Sequence, residues 1–239
     1  MEWFSAADTH RGNHRARNED AVFCSSERAL WAVADGMGGH KAGEYASERI
    51  AQGLTDLDLP LDLADCVDVL EDCLLDVNDH LRHHARANCD GNTVGSTVVA
   101  MVARGDAAVA LWAGDSRLYR LRGRKLTQIT RDHNPVSDLL DSGGVTEEEA
   151  IAADTNIITR AVGGQRDLHL DVAVFDVREG DTLLLCSDGL YREIGNHELL
   201  DALQQDVDEA VNALMASCLG GEARDNISIV VARAGYDHA

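Results

Sequence analysis

Between residues 62 and 87, Leu63, Val67, Leu70, Leu74, Val77 and Leu81 recur at three- and four-residue intervals. That spacing puts them on one face of an α-helix, so the stretch predicts a long amphipathic helix. Ala46, Ile50 and Leu54 repeat every four residues and predict a helix over 43–54, entered from the Gly38-Gly39 turn without an evident N-cap. A third helix is expected from Asp206, with Val207, Val211, Leu214 and Cys218 as its buried face and Glu209 completing a capping box. Elsewhere the pattern shortens to strand-like apolar runs near 3–8, 20–24, 29–35, 95–103, 107–113, 116–121, 168–176, 181–186 and 226–233. Strands, a helical pair, strands and helices again do not alternate as βαβ units. They predict an α+β fold of antiparallel sheets covered by helices. The stretch 132–164 breaks the pattern with Ser137-Asp138, Asp141-Ser142-Gly143-Gly144 and Glu147-Glu148-Glu149, which mark a surface flap. Only two prolines occur, Pro60 and Pro135, and no Ser/Gly/Pro-rich linker divides the chain, so residues 1–239 read as one domain.

Four of the apolar runs begin or end in aspartate: Ala32-Val33-Ala34-Asp35-Gly36, Leu111-Trp112-Ala113-Gly114-Asp115, Leu184-Leu185-Cys186-Ser187-Asp188-Gly189 and Asp225-Asn226-Ile227-Ser228-Ile229-Val230. A carboxylate at the lip of a buried strand is costly unless something pairs it. Several converging on one lip repel each other unless cations lie between them. Glu19 and Asp20, just before the run Ala21-Val22-Phe23, add two more acids. Oxygen ligands without histidine at ligand spacing suit hard cations, Mg²⁺ or Mn²⁺, that keep part of their water shell. Two such ions about 3.5–4 Å apart can share a carboxylate and activate water for in-line attack at phosphorus. Arg15 is then placed to hold phosphoryl oxygens.

Composition narrows the field of partners. Forty-two acidic against 21 basic residues give a formal net charge of −21, which repels nucleic acid and anionic membranes. The chain is 45% hydrophobic, enough for a substantial core. No stretch reaches the roughly 18 apolar residues of a membrane span. Met1-Glu2-Trp3-Phe4-Ser5 shows no secretory pattern. The six cysteines (Cys24, Cys66, Cys73, Cys89, Cys186, Cys218) form no CxxC pair. They are expected as reduced, mostly core residues of a cytoplasmic protein.

Arg15…Asn18-Glu19-Asp20, Asp35-Gly36-Met37-Gly38-Gly39-His40, Gly95-Ser96-Thr97, Gly114-Asp115-Ser116-Arg117, Ser187-Asp188-Gly189 and Arg224-Asp225-Asn226 together resemble the metal-dependent PPM/PP2C family of Ser/Thr protein phosphatases. They occur in the family's order and span most of the chain. The resemblance implies an αββα sandwich, two antiparallel sheets flanked by helix pairs. It implies that Asp35 bridges two Mn²⁺ or Mg²⁺ ions, that the Gly36 carbonyl binds one, and that Asp188 and Asp225 hold the other. Glu19 and Asp20 then act through bound waters, and a third ion, seen in bacterial members, falls between Asp115 and Asp188. Arg15 matches the phosphate-binding arginine. Met37 stands where eukaryotic members carry a histidine as general acid, and His40 is the candidate for that task here. Expected partners are phosphorylated proteins and a cognate Ser/Thr kinase, with the phosphatase a monomer.

Other readings use the same residues. Gly114-Asp115-Ser116-Arg117 also reads as a hairpin turn with an internal Asp–Arg pair. Thr130, Asp132 and His133 read as a structural turn lock, and Gly95-Ser96-Thr97 as a packing element. Cys73, His80, His84 and Cys89 fit no zinc-finger spacing. At the level of function, the alternatives are a catalytically silent phosphoprotein-binding regulator and a two-metal phosphatase of small phosphoesters.

Overall fold

The computed structural model describes residues 1–38, 41–90, 92–137 and 157–235. His40 and the central part of the expected flap, 138–156, lie outside the described residues. The chain forms two antiparallel sheets. The first runs β1 (Glu2–His10), β11 (Ile227–Gly235), β10 (Thr182–Cys186), β7 (Arg117–Arg122), β8 (Lys125–Gln128). The second runs β2 (Asp20–Ser25), β3 (Leu30–Met37), β5 (Val98–Arg104), β6 (Ala107–Ala113), β9 (Asp171–Asp176), with β4 (Gly95–Ser96) paired to the end of β3. Helices α1 (Ala42–Asp56) and α2 (Leu63–Asn88) cover the second sheet, and α3 (Asp188–Tyr191), α4 (Asn196–Ala202) and α5 (Val207–Gly220) cover the first.

The period-2 rule of strands builds this four-layer sandwich. On β3, Leu30, Ala32 and Ala34 face the helices and pack with Ile50, Leu54, Leu70, Leu74 and Leu81. Trp31 and Val33 face the other sheet, meeting Leu183, Leu185, Val230 and Ala232. β10 divides the same way, with Leu184 and Cys186 turned to Leu199, Val211 and Leu214. Strands buried on both faces explain why these runs carry no polar alternation. Each fully buried Leu or Ile contributes roughly 1.5–3 kcal/mol relative to exposure.

The expected α+β sandwich and its helix pairs are therefore present, with some corrections. Residues 95–103 split at Thr97 into β4 and β5. β8 and the short helices α3 and α4 have no counterpart in the sequence expectations, because four to seven residues hold too little periodicity to announce themselves. The capping box at Asp206 does not form: Asp206 is the N-cap of α5 but makes no side-chain cap bond, and its Oδ1 lies 3.7 Å from Arg233 Nη1. Asp62, in contrast, caps α2 by accepting from the amides of Ala64 and Asp65. Of the cysteines, all free, only Cys66, Cys186 and Cys218 are buried; Cys24 is exposed, and Cys73 and Cys89 are half-buried. Among the described residues no helix is long and apolar enough to cross a membrane.

Candidate active site

The antiparallel topology delivers five aspartates to one end of the sandwich. Asp20 opens β2 and Asp35 lies near the end of β3, directly opposite each other across the strand pair. Asp115 follows β6, Asp188 follows β10, and Asp225 precedes β11. Like charges facing each other across strands destabilise a sheet. Here the cost appears as proton affinity. Burial, then the charges of Asp20, Asp188, Asp115 and Asp225, push the Asp35 carboxyl well above the ordinary aspartate range. Burial likewise drives Asp20 up to about 7, although Ser228 and Ser187 act against it. Asp115 is raised to about 6, by burial first and the Asp188 charge next. Asp188 is raised by burial, against the pull of Arg192.

The surrounding hydrogen bonds orient these acids without satisfying them. Ser187 Oγ donates to Asp20 Oδ2 at 2.8 Å and accepts from the Ser228 amide at 3.0 Å. Thr97 Oγ1 accepts from the Asp35 amide at 3.1 Å and lies 2.7 Å from Ser116 Oγ. Among the described residues, Oδ1 of Asp20, of Asp115 and of Asp188 is buried without a hydrogen-bond partner. A carboxylate oxygen in that state calls for a cation or a proton. Among the described residues no three acids, histidines or cysteines already close onto one metal-sized point. The acids surround a shared space, which suits hard cations that keep part of their water shell. The donor set fits Mg²⁺ or Mn²⁺.

The mouth of the site is held by long-range contacts. Arg15 Nη2 bonds Asp225 Oδ2 at 2.7 Å, with the arginine side chain 52% exposed. Asn226 ties the Arg15 loop to the last strand: its Nδ2 donates to the carbonyls of Arg11 at 3.0 Å and Arg17 at 2.8 Å, and its Oδ1 accepts from the Glu19 amide at 2.8 Å. Glu19 itself is half-buried, and its carbonyl accepts from the Gly36 amide at 3.0 Å and Ser47 Oγ at 2.6 Å. A Cβ on Gly36 would lie 2.1 Å from the Gly43 carbonyl and 2.4 Å from that of Glu19. We therefore expect Gly36→Ala to cost about 1–3 kcal/mol through overpacking of backbone on backbone. A thermal melt lowered by several degrees checks this.

Asp115 is not in an internal Asp–Arg turn. Arg117 turns away to a bidentate bond with Asp132, at 2.9 and 2.7 Å, and stacks 3.5 Å over the Tyr191 ring. The turn lock is real: Thr130 Oγ1 accepts from the Leu118 amide, His133 Nδ1 accepts from the Gly114 amide, and the His133 amide donates to the Gly114 carbonyl. Ser96 and Thr97 pack as expected and also hold the Asp35 backbone. Sequence reasoning missed Tyr191 and Arg192. The Tyr191 hydroxyl donates to the Asp115 carbonyl at 3.0 Å, and Arg192 Nη2 lies 3.0 Å from Asp188 Oδ2 and 3.6 Å from Asp115 Oδ2. The i, i+4 spacing of Asp188 and Arg192 was the available signal. On α2, His80 bonds the Tyr45 hydroxyl and His84 stacks on the Tyr45 ring, so these histidines are engaged in packing α1 on α2.

The family model for protein phosphatase 2C matches residues 8–226. The Serine/threonine protein phosphatase PstP of Mycobacterium tuberculosis (strain ATCC 25618 / H37Rv) is 37% identical over 95% of this chain, which spans only 44% of that relative's length. The Serine/threonine phosphatase stp of Listeria welshimeri is 35% identical, with 93% of this chain and 92% of that protein covered. Among solved structures, PppA of Pseudomonas aeruginosa, described as a key regulatory component of the T6SS, superposes with TM-score 0.89 and 42% identity, covering 98% of each chain. The catalytic domain of PstP in complex with two manganese ions gives TM-score 0.84 and 35% identity over 98% of this chain and 99% of that one. The six motifs, the four-layer sandwich and the ring of acids at its end thus have one explanation: this chain belongs to the protein phosphatase 2C family.

Proposed function

We propose that the chain is a metal-dependent phosphatase that hydrolyses phosphoserine and phosphothreonine on proteins. The observation that carries the reading is the set of carboxylates gathered from both sheets, three of them with a buried oxygen that has no hydrogen-bond partner among the described residues. When bound, a pair of Mn²⁺ or Mg²⁺ ions supplies an activated water for in-line attack and neutralises charge on the phosphoryl group. Asp35 is the residue assigned to lie between the ions, with the Gly36 carbonyl, Asp188 and Asp225 as further ligands. Glu19 and Asp20 are assigned to ordered water, and Asp115 with Asp188 to a third ion. His40 is the proposed proton donor to the leaving alkoxide. The reading extends to a cytoplasmic monomer that opposes a Ser/Thr kinase. The PstP structure with two manganese ions supports the metal pair.

Arg15 binds and orients. Its guanidinium projects at the rim beside Asp225, where a phosphoryl group can be met by paired N–H donors. Arg15→Ala is expected to raise KM about tenfold or more with a smaller change in kcat, from the loss of a charged hydrogen bond of about 1.5–3 kcal/mol. Steady-state kinetics on a phosphothreonine peptide measure it, and an unchanged KM removes Arg15 from the site. The function itself is tested by phosphate release from phosphothreonine peptides and from nucleotides, with and without Mn²⁺. Metal-dependent release preferring peptide supports the proposal; preference for nucleotide favours a small-phosphoester enzyme, and no release under any metal favours a silent binding module.

A further inference from the structure

β9 ends the second sheet, and among the described residues no strand lies on its outer edge. Two of its three exposed side chains are apolar, Val172 at 48% and Val174 at 72%, while the third, Asp176, is paired with Arg122 and Arg178. With Val109 of β6 and Leu63 and Val67 of α2 they line a groove of about 490 Å³, rimmed by Asp62 and Asp68. Leu61, beside Asp62 in the chain, is the most exposed large apolar side chain described, at 94%. Among the described residues neither Asp62 nor Asp68 has an ion-pair partner, Asp62 being used only to cap α2. An open strand edge beside an apolar trough offers both backbone hydrogen bonds and side-chain pockets to an incoming strand.

We propose that this groove is a docking site for an extended segment of another protein in which apolar residues alternate with lysine or arginine. Such a segment adds to β9, seats its apolar side chains on Val172, Val174 and Val67, and sets its cations against Asp62 and Asp68. Charge selects this occupant over a second copy of the chain. Pairing β9 with β9 would bring the two acidic rims together, in a molecule of net charge −21. The groove is separate from the carboxylate cluster: Val109 precedes Asp115 by six residues, about 20 Å along an extended strand. Docking there leaves the cluster open to a phosphorylated group carried by the same partner.

The probe is a fluorescein-labelled peptide of alternating lysine and valine, with an alternating glutamate–valine peptide as its counterpart. Fluorescence anisotropy should show binding of the first only, weakening with added salt. Amide shifts in ¹⁵N-labelled protein should concentrate at Val172, Ala173 and Val174. Val174→Lys should raise Kd at least about tenfold, and Asp68→Lys should shift preference toward the glutamate peptide. Both positions are surface ones, so the thermal melt and the hydrolysis of a small phosphoester should be unchanged. No binding of the lysine peptide, equal binding of both peptides, or shifts confined to other surfaces would overturn the proposal. So would a concentration-dependent dimer in sedimentation that Val174→Lys abolishes, which would make a second copy the occupant.

Discussion

Asp35→Asn is expected to abolish turnover and at the same time make the metal-free protein more stable. The two effects share one cause. Asp35 lies where burial and four neighbouring acids all raise its pKa, so its carboxyl disfavours the folded state at neutral pH. Each unit of that rise corresponds to about 1.4 kcal/mol. The asparagine side chain has nearly the same shape and no charge, so it removes the repulsion without opening a cavity. What it cannot do is hold two cations together, the role proposed for Asp35. Losing that electrostatic stabilisation should cost at least about 10³-fold in kcat, roughly 4 kcal/mol. The check is paired: phosphate release at saturating Mn²⁺, and a thermal melt in chelator. Near-normal turnover would sink the bridging assignment. A destabilised metal-free variant would show instead that Asp35 has an unrecognised structural partner.

The second large effect is a reversal of pH dependence on adding metal. In chelator, Asp20 and Asp115 titrate near 7 and 6 in the folded protein against about 3.9 in an unfolded chain. The folded state therefore binds more protons than the unfolded one between about pH 4 and 7. Stability must fall as pH rises through that window. Asp171 and Asp176, whose pKa values are lowered, act in the opposite sense, and only as pH drops below the ordinary aspartate range. Metal-free protein should thus melt higher at pH 5 than at pH 7.5. Mn²⁺ must displace these protons, so its effect grows with pH. At a free concentration about 100 times its Kd, one bound ion adds about 2.7 kcal/mol. For a protein of this size that is roughly 5–10 °C in Tm. Scanning calorimetry at the two pH values, with Mn²⁺ and with chelator, reads all four numbers. A metal-free Tm that rises from pH 5 to 7.5, or an equal Mn²⁺ effect at both, would contradict the cluster as described.

Most of the framework and most of the acids were legible in the chain. The strands are buried on both faces, so they stand out as short unbroken apolar runs, and each site aspartate sits at the lip of one. Helix α2 declares itself because 26 residues hold seven turns of one stripe. What escaped were features without a period or with distant partners. β8 is a four-residue edge with two half-buried side chains. Asp206 carries a capping signature, yet its carboxylate lies toward Arg233, a residue 27 positions away. Asn226 lies inside a recognised motif, but its role in fastening the 11–19 loop depends on bonds spanning more than 200 residues. Arg117 chose Asp132 over Asp115 because the carboxylate across the turn accepts both of its nitrogens, which spacing alone does not decide.

β1 has β11 as its partner from Glu2–Gly235 to His10–Ile227, so during synthesis β1 has to wait for a strand made more than 200 residues later. The chain can assemble α1, α2 and the second sheet while synthesis continues, since those contacts are closer in sequence. The Arg15 loop cannot be fastened until Asn226 has emerged. Closing a loop of that length carries an entropic cost that grows slowly with length but delays contact formation. The nascent protein therefore carries its half-built ring of acids, Asp20 and Asp35 included, without Asp188 and Asp225. The acid cluster is thus completed only when β11 and the Asp225-Asn226 turn before it have been made and paired with β1.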